Sequence, residues 1–268
     1  QMKSELAIGA LARSHQAIIV GDQNQLPPTR VFESQTSEDN DDDDINDESI
    51  LDLAIKSLPS RNLLYHYRSR HESLIKFSNN EFYHNLMIPV TASPKKEDRG
   101  IKHIYLKNAR YVVSKGGVGG GINPLEAEKV IHEVFDIMKN RPNESVGIAT
   151  MNIKQKEYLS NLFDRMSAKD NDILEYVQKW DEQDDGLKEF FIKNIENVQG
   201  DERDIIIVST VFGPHSDSPE VYQRFGINNQ FGWRRLNVLF TRAKNQMIIV
   251  TSLKSSQVKV GDESGKSI

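Results

Sequence analysis

Four polar segments of this 268-residue sequence carry side chains suited to phosphate chemistry. They are GDQNQLPPT at 21–29, with Gln25 at its tip; YHYRSRH at 65–71, with Arg68; VQGDERD at 198–204, with Gln199, Gly200 and Glu202; and RRLNVLFTRA at 234–243, with Arg242. An arginine can stabilise the charge that develops on transferring phosphoryl oxygens, an effect that reaches roughly a thousandfold in rate or more. A glutamine can hold an attacking water or sense a γ-phosphate without itself titrating. A carboxylate placed after a glycine turn suits a ribose hydroxyl. Two arginines, an amide and a carboxylate beside glycine are the set that a nucleoside triphosphate cleft requires. Taken singly each is weak: Arg68 on an exposed turn reads more simply as a surface salt bridge, and Arg242 at a helix C-terminus is favoured there by the helix dipole.

These segments fall directly after predicted strands or at helix ends, positions that converge on one edge of a parallel sheet, where ligands sit. The apolar run Ala17-Ile18-Ile19-Val20 reads as a short buried strand leading into the first loop, which Gly21-Asp22 turns and Pro27-Pro28 stiffens. Further strands are predicted at 62–67, 145–150, 190–195, 205–211 and 247–250, with weaker signals at 101–106 and 110–113. The 205–211 run is apolar on both faces, as a central parallel strand must be. Helices are predicted before residue 17, at 49–57, at 71–83, from 123 to about 140, from Asn152 onward, and at 233–244, while 169–187 is polar and helical or irregular. Asn123-Pro124-Leu125-Glu126 gives the clearest helix start: Asn123 caps, Pro124 takes the first helical position, and Glu126 can reach back as in a capping box. Strands alternating with helices predict an α/β fold of three layers around a mainly parallel sheet.

Composition narrows the class. There is no apolar run near eighteen residues and no signal-peptide pattern, so no membrane partner is expected. The absence of cysteine excludes disulfides and thiol chemistry and fits a reducing cytoplasm. The net charge of −5 hides an uneven distribution: residues 38–48, EDNDDDDINDE, hold eight acids and no base, and without them 31 acidic face 34 basic residues. That run reads as a solvated loop, because like charges repel, with a metal site or an intramolecular mimic of nucleic acid as the alternatives. The glycine run at 116–121 reads as a loop, since no Gly-Lys-Ser/Thr follows it.

In combination and in this order, the four segments resemble the later motifs of superfamily-one helicases. GDQNQLPPT looks like motif III, YHYRSRH like motif IV, VQGDERDIII like motif V and RRLNVLFTRAK like motif VI, while IATMNIKQ resembles the family's TPY-x-x-Q-type segment. HYRSRHESLIKFSN, NPLEAE and ENVQGDERD bring it nearer to the large bacterial helicases allied to the nonsense-mediated-decay helicase group. The resemblance implies a RecA-like fold and ATP-driven, 5′-to-3′ movement along single-stranded DNA or RNA by a monomer. Gln25 would couple the γ-phosphate to domain movement, and Arg68 and Arg242 would be arginine fingers. Gln199, Gly200 and Glu202 would approach the nucleotide, and Asn152, Lys154 and Gln155 would contact the nucleic-acid strand. His66, where many relatives carry Gln or Asn, is expected to pack or hydrogen-bond without chemistry. Met151 replaces the usual Pro or aromatic, which weakens a base-stacking role there.

Two family parts are not in this sequence: the phosphate cradle Gly-x-x-x-x-Gly-Lys-Ser/Thr and the magnesium-binding Asp-Glu of Walker B. Gly261-Asp262-Glu263-Ser264-Gly265-Lys266-Ser267 is a decoy, its first glycine one residue too close. The expected organisation is a remnant of a first RecA-like domain at 1–30, a linker at 31–60, a second RecA-like domain at 61–255 and a polar tail at 256–268. ATP and Mg would both need the missing N-terminal half, which is also the expected protein partner, so the fragment alone would be inactive. The competing reading is a non-catalytic RecA-like binding module.

Overall fold

The computed structural model describes residues 2–26, 49–90, 99–113, 120–215, 221 and 232–258. Pro27-Pro28, the acidic run 38–48, most of the glycine run and the decoy at 261–267 lie outside them. In chain order the elements are α1 (Ser4–Leu11), α2 (Ile50–Ser57), β1 (Tyr65–His66), α3 (Ser73–Phe82), β2 (Ile88–Pro89), β3 (Gly100–Tyr105), β4 (Val112–Val113) and β5 (Gly121–Ile122). There follow α4 (Pro124–Asn140), β6 (Val146–Thr150), α5 (Ile153–Ser167), α6 (Asn171–Asp181), β7 (Phe191–Asn194), β8 (Arg203–Ser209), α7 (Trp233–Phe240) and β9 (Ala243–Thr251).

Five strands form one all-parallel sheet in the order β3-β9-β8-β6-β7. Its central strands β6 and β8 are apolar on both faces because helices cover both, as the sequence of the 205–211 run required. Alternation along β8 divides the core: Ile205 and Ile207 point with Val146, Ile148, Ile248 and Val250 into a cluster under α4, α5 and α6. Ile206 and Val208 point the other way, with Ala149 and Met247, to meet Leu74 of α3 and Leu236, Val238 and Leu239 of α7. The result is the expected three-layer α/β architecture.

Local chemistry sets the element ends, with several departures from expectation. Ser49 and Asp52 form a full capping box at α2, each side chain accepting from the other residue's backbone N–H. Asn123 caps α4 by accepting from the Glu126 N–H at 3.3 Å, but the box predicted there does not close. Instead the Asn123 N–H donates to Oε1 of Gln155 at 2.8 Å, and Glu126 turns into the core. The stretch 17–20 is not a strand: Ile18 and Val20 are 82% and 77% exposed, and no ladder among the described residues pairs with them. A strand needs a hydrogen-bonding neighbour, and this stretch lies instead beside α1 and α2, lining an apolar cleft with Leu6, Leu11 and Leu51. The strand predicted at 62–67 shrinks to the two residues of β1, paired only with β2 among the described residues. The weak signal at 110–113 proves to be half of a hairpin, β4 against β5, in which Gly121 has no room for a Cβ because it would run into the Val112 carbonyl oxygen. The helix predicted to reach 244 stops at Phe240, so that Thr241 and Arg242 form the turn into β9.

Candidate functional site

The segments carrying Arg68, Glu202 and Arg242 meet at one edge of the sheet, its amino edge. Glu202 immediately precedes β8 and Arg242 immediately precedes β9, and the Arg203 N–H donates to the Arg242 carbonyl at 3.2 Å. The loop carrying Arg68 joins them there, tied by the Arg70 N–H to the Lys244 carbonyl at 2.8 Å. The expectation of positions following strands fails because the strands are parallel, so the chain returns to their amino edge between β7 and β8, and again between β8 and β9 with α7 leading into β9, before these residues arrive.

Glu202 is the centre of this cluster. Its Oε2 accepts from Nε of Arg68 at 2.7 Å and its Oε1 from Nζ of Lys244 at 2.6 Å. Burial pushes the Glu202 carboxyl up, but the hydrogen bonds from Lys244 and Arg68 outweigh it and hold the group below the ordinary value. Arg68 also reaches the Thr241 carbonyl through Nη1 at 3.4 Å, which brings it alongside the residue before Arg242. Arg242 itself is only 4% exposed. Its Nε donates to the Val238 carbonyl at 2.8 Å, in the last turn of α7, an oxygen that also accepts from the Thr241 N–H and hydroxyl, and its Nη2 donates to Oγ1 of Thr241 at 2.8 Å. Burial and the nearby Arg68 charge pull Arg242 down to about 10, so it remains a cation at neutral pH. Arg68, Lys244 and Arg242 thus gather about Glu202, with the charge of Asp201 also acting on Arg242, a cation-rich arrangement that attracts a further anion.

His66 sets the approach to Arg68: its Nε2 accepts from the Ser69 N–H at 3.2 Å and lies 2.9 Å from the Ser69 hydroxyl. Burial and the Arg68 charge lower its basicity, in keeping with that acceptor role. Gly200 has φ +90, and no atom lies within 4 Å of where a Cβ would stand, so backbone conformation rather than crowding demands glycine there. Gln199 donates through Nε2 to the Leu26 carbonyl at 3.4 Å, linking its loop to the Gln25 loop. Gln25 donates to Oδ2 of Asp22 at 2.9 Å, inside that same loop. Among the described residues no group of three or more His, Asp or Glu is placed to hold a metal ion.

The candidate strand-binding residues lie at the opposite, carboxyl edge. Asn152 caps α5, accepting from the Gln155 N–H at 2.7 Å and donating to the Gly121 carbonyl at 2.9 Å. Lys154 is partly exposed and makes a loose 3.7 Å pair with Glu157. Gln155 is fully buried; its Nε2 donates to the Asn123 carbonyl at 3.1 Å and to Oγ of Ser209 at 3.2 Å. With both ends of its amide engaged inside the core, Gln155 does not meet the expectation of a strand contact, and it serves to join α4, α5 and β8. Sequence reasoning missed Lys244 and Asn237, although both stand within RRLNVLFTRAK, and it missed Tyr83, which no motif contains. It also left Arg203 unassigned: 1% exposed and 4.7 Å over the Phe191 ring, it is a structural cation, donating through Nε to the Glu189 carbonyl at 2.7 Å.

Residues 46–254 match the model of a family described as an AAA domain. The chain belongs to that family. An uncharacterized ATP-dependent helicase of Mycoplasma genitalium is 32% identical over 92% of this chain, which spans 22% of that protein's length. The helicase Sen1 of Schizosaccharomyces pombe is 24% identical over 89% of this chain and 13% of its own length. An uncharacterized ATP-dependent helicase of Methanocaldococcus jannaschii is 24% identical over 90% of this chain and 33% of its own. The resemblance to superfamily-one helicases and the RecA-like α/β fold are both borne out. Among the described residues no helix is long and apolar enough to cross a membrane.

Because Glu202 and Arg68 are 38% and 36% exposed, their pair is worth little to the fold. Glu202→Gln is expected to change unfolding free energy by less than about 1 kcal/mol in a denaturant titration. A larger loss would make the cluster a structural staple instead of a ligand site.

Proposed function

We propose that this chain is the second RecA-like portion, with the end of the first, of a superfamily-one helicase. The intact protein would use ATP hydrolysis to move along single-stranded DNA or RNA and separate strands, with 5′-to-3′ polarity. The observation that carries this reading is the meeting of Arg68 and Arg242, from distant parts of the sequence, around Glu202 and Lys244 at one edge of the sheet. ATP would supply the phosphoryl group and its bond energy. Arg68 and Arg242 would stabilise negative charge on the phosphoryl oxygens as it develops, from positions fixed by His66, Thr241 and the Val238 carbonyl. Glu202 holds Arg68 and Lys244 in place and is available to a ribose hydroxyl, with Gly200 and Gln199 in the adjoining loop. Gln25 would sense the γ-phosphate from the loop that Gln199 touches. Asn152 and Lys154, at the other edge, would face the nucleic-acid backbone.

The test pairs the isolated chain with the intact protein. The isolated chain is expected to show no ATP turnover, because it contains fingers without a Gly-x-x-x-x-Gly-Lys-Ser/Thr cradle. The intact protein is expected to hydrolyse ATP faster when single-stranded nucleic acid is added and to displace a strand. Robust turnover by the isolated chain would overturn the assignment of roles. Hydrolysis without strand displacement would leave a nucleotide switch in place of a helicase.

A further inference from the structure

The loop bearing Gln25 is held by a directed chain of hydrogen bonds that none of the motifs accounts for. Nδ2 of Asn237 donates to the Tyr83 hydroxyl at 2.9 Å, and that hydroxyl donates to Oδ2 of Asp22 at 2.5 Å. The same carboxylate oxygen accepts from Nε2 of Gln25 at 2.9 Å, while Oδ1 accepts from the Asn24 N–H at 2.9 Å. Asn237 also donates to the Asn24 carbonyl at 2.7 Å, and Asn24 donates through Nδ2 to the Phe82 carbonyl at 2.8 Å. The bonds from Asn237 through Tyr83 run toward the charge on Asp22, so the chain has one polarity and its members reinforce each other.

Its two anchors sit on rigid ground. Tyr83 caps α3, and Asn237 lies in the middle of α7, fully buried. Between the helices Phe77 packs on Phe240 at 4.7 Å and Phe82 stacks on Trp233 at 5.1 Å, fixing their relative position. Five residues after Asn237 the chain reaches Arg242, and Oδ1 of Asn237 is buried without a hydrogen-bond partner among the described residues. Keeping an amide at that cost argues for a function the donor side performs. Burial and the Asp22 carboxylate push the Tyr83 hydroxyl up from its ordinary value, so it remains a donor.

Resting on the helicase reading above, we propose that Tyr83 and Asn237 are positioning residues, which hold Gln25 in register with the helix that presents Arg242. A shift of the Gln25 loop is then transmitted to α7, and so to the finger, through Tyr83 and Asn237. Neither residue touches a reacting atom.

The experiment uses the intact protein with saturating single-stranded nucleic acid, comparing Tyr83→Phe and Asn237→Ser with wild type. Each variant is expected to lower kcat for ATP about tenfold, with KM for ATP within roughly twofold and the melting temperature lower by no more than a few degrees. In the double variant Asp22→Asn with Tyr83→Phe, the losses are expected to overlap instead of adding, since both break one chain. Wild-type kcat in both single variants, additive losses in the double variant, or a parallel fall of kcat, nucleotide affinity and melting temperature would each overturn the proposal. Failure of Tyr83→Phe to fold would overturn it also, by making the hydroxyl architectural. A wild-type protein without ATP turnover would instead remove the helicase reading on which it stands.

Discussion

Arg242→Ala in the intact protein is expected to cut ATP turnover about a thousandfold while leaving nucleotide affinity within roughly threefold. On the function proposed above, the asymmetry follows from when the guanidinium would act. Charge on the phosphoryl oxygens grows toward the transition state, so a preorganised donor there lowers kcat when removed and changes ground-state binding little. Preorganisation is visible in the side chain: Nε and Nη2 fix it to Val238 and Thr241. Burial of Arg242 beside Arg68 makes a like-charge neighbourhood that an incoming anion relieves. Arg242→Lys keeps the charge and loses the planar fork, so it is expected to recover only part of the rate. Because Arg242 is buried, its truncation also disturbs packing; Arg68→Ala separates the two effects. Arg68 is more than a third exposed, so its loss is expected to lower turnover with no fall in melting temperature. If turnover and nucleotide affinity fall together for both arginines, the cluster binds or braces without acting in the chemical step.

The layers of this fold are legible in the sequence because they rest on local pattern. The apolar run of β8 and the stripe of α4 state their burial in their own residues, and a mainly parallel sheet follows from the alternation of strands with helices. The stretch 17–20 has the same composition as a strand, yet pairing is not a property of one segment, and the described residues offer it no neighbour. The site is legible in its members and less so in its placement. Residue type and order single out Arg68, Glu202 and Arg242, but the edge on which they gather depends on where α7 ends, two residues before Arg242. Gln155 misleads for a different reason: the resemblance implies a strand contact for it, while here its amide bridges Asn123 and Ser209 inside the core. Tyr83 gives no signal, because its role exists only through the fold of α3 against α7.

Glu126 carries the largest expected effect on stability. Its place in the first turn of α4 suits a capping residue, yet it sits fully buried at the carboxyl edge. Its Oε1 accepts from the Val211 N–H at 2.6 Å and from Oγ of Ser209 at 2.7 Å. Val211 has φ 67, a left-handed conformation that a β-branched residue adopts only when its surroundings force it. The Glu126 carboxyl oxygen is what satisfies that backbone, and through it the exit of β8 is locked to α4. Glu126→Ala is expected to cost roughly 3 kcal/mol or more, since it orphans a buried N–H and a hydroxyl and leaves a cavity. Burial pushes the Glu126 carboxyl up to about 7, against the pull of the Val211 and Ser209 hydrogen bonds. Below pH 4.5, its ordinary value, the group is protonated both folded and unfolded. Between 4.5 and about 7 the unfolded chain loses its proton while the folded one keeps it, so stability falls as pH rises through that window and levels off above it. The total is on the order of 3 kcal/mol. Glu126→Gln retains an oxygen for Val211 and Ser209 and cannot titrate, so its unfolding free energy is expected to lack that slope. Denaturation curves of the two proteins at intervals across the window measure the difference directly; parallel curves would mean that Glu126 is ionised throughout and that the Val211 and Ser209 bonds outweigh its burial.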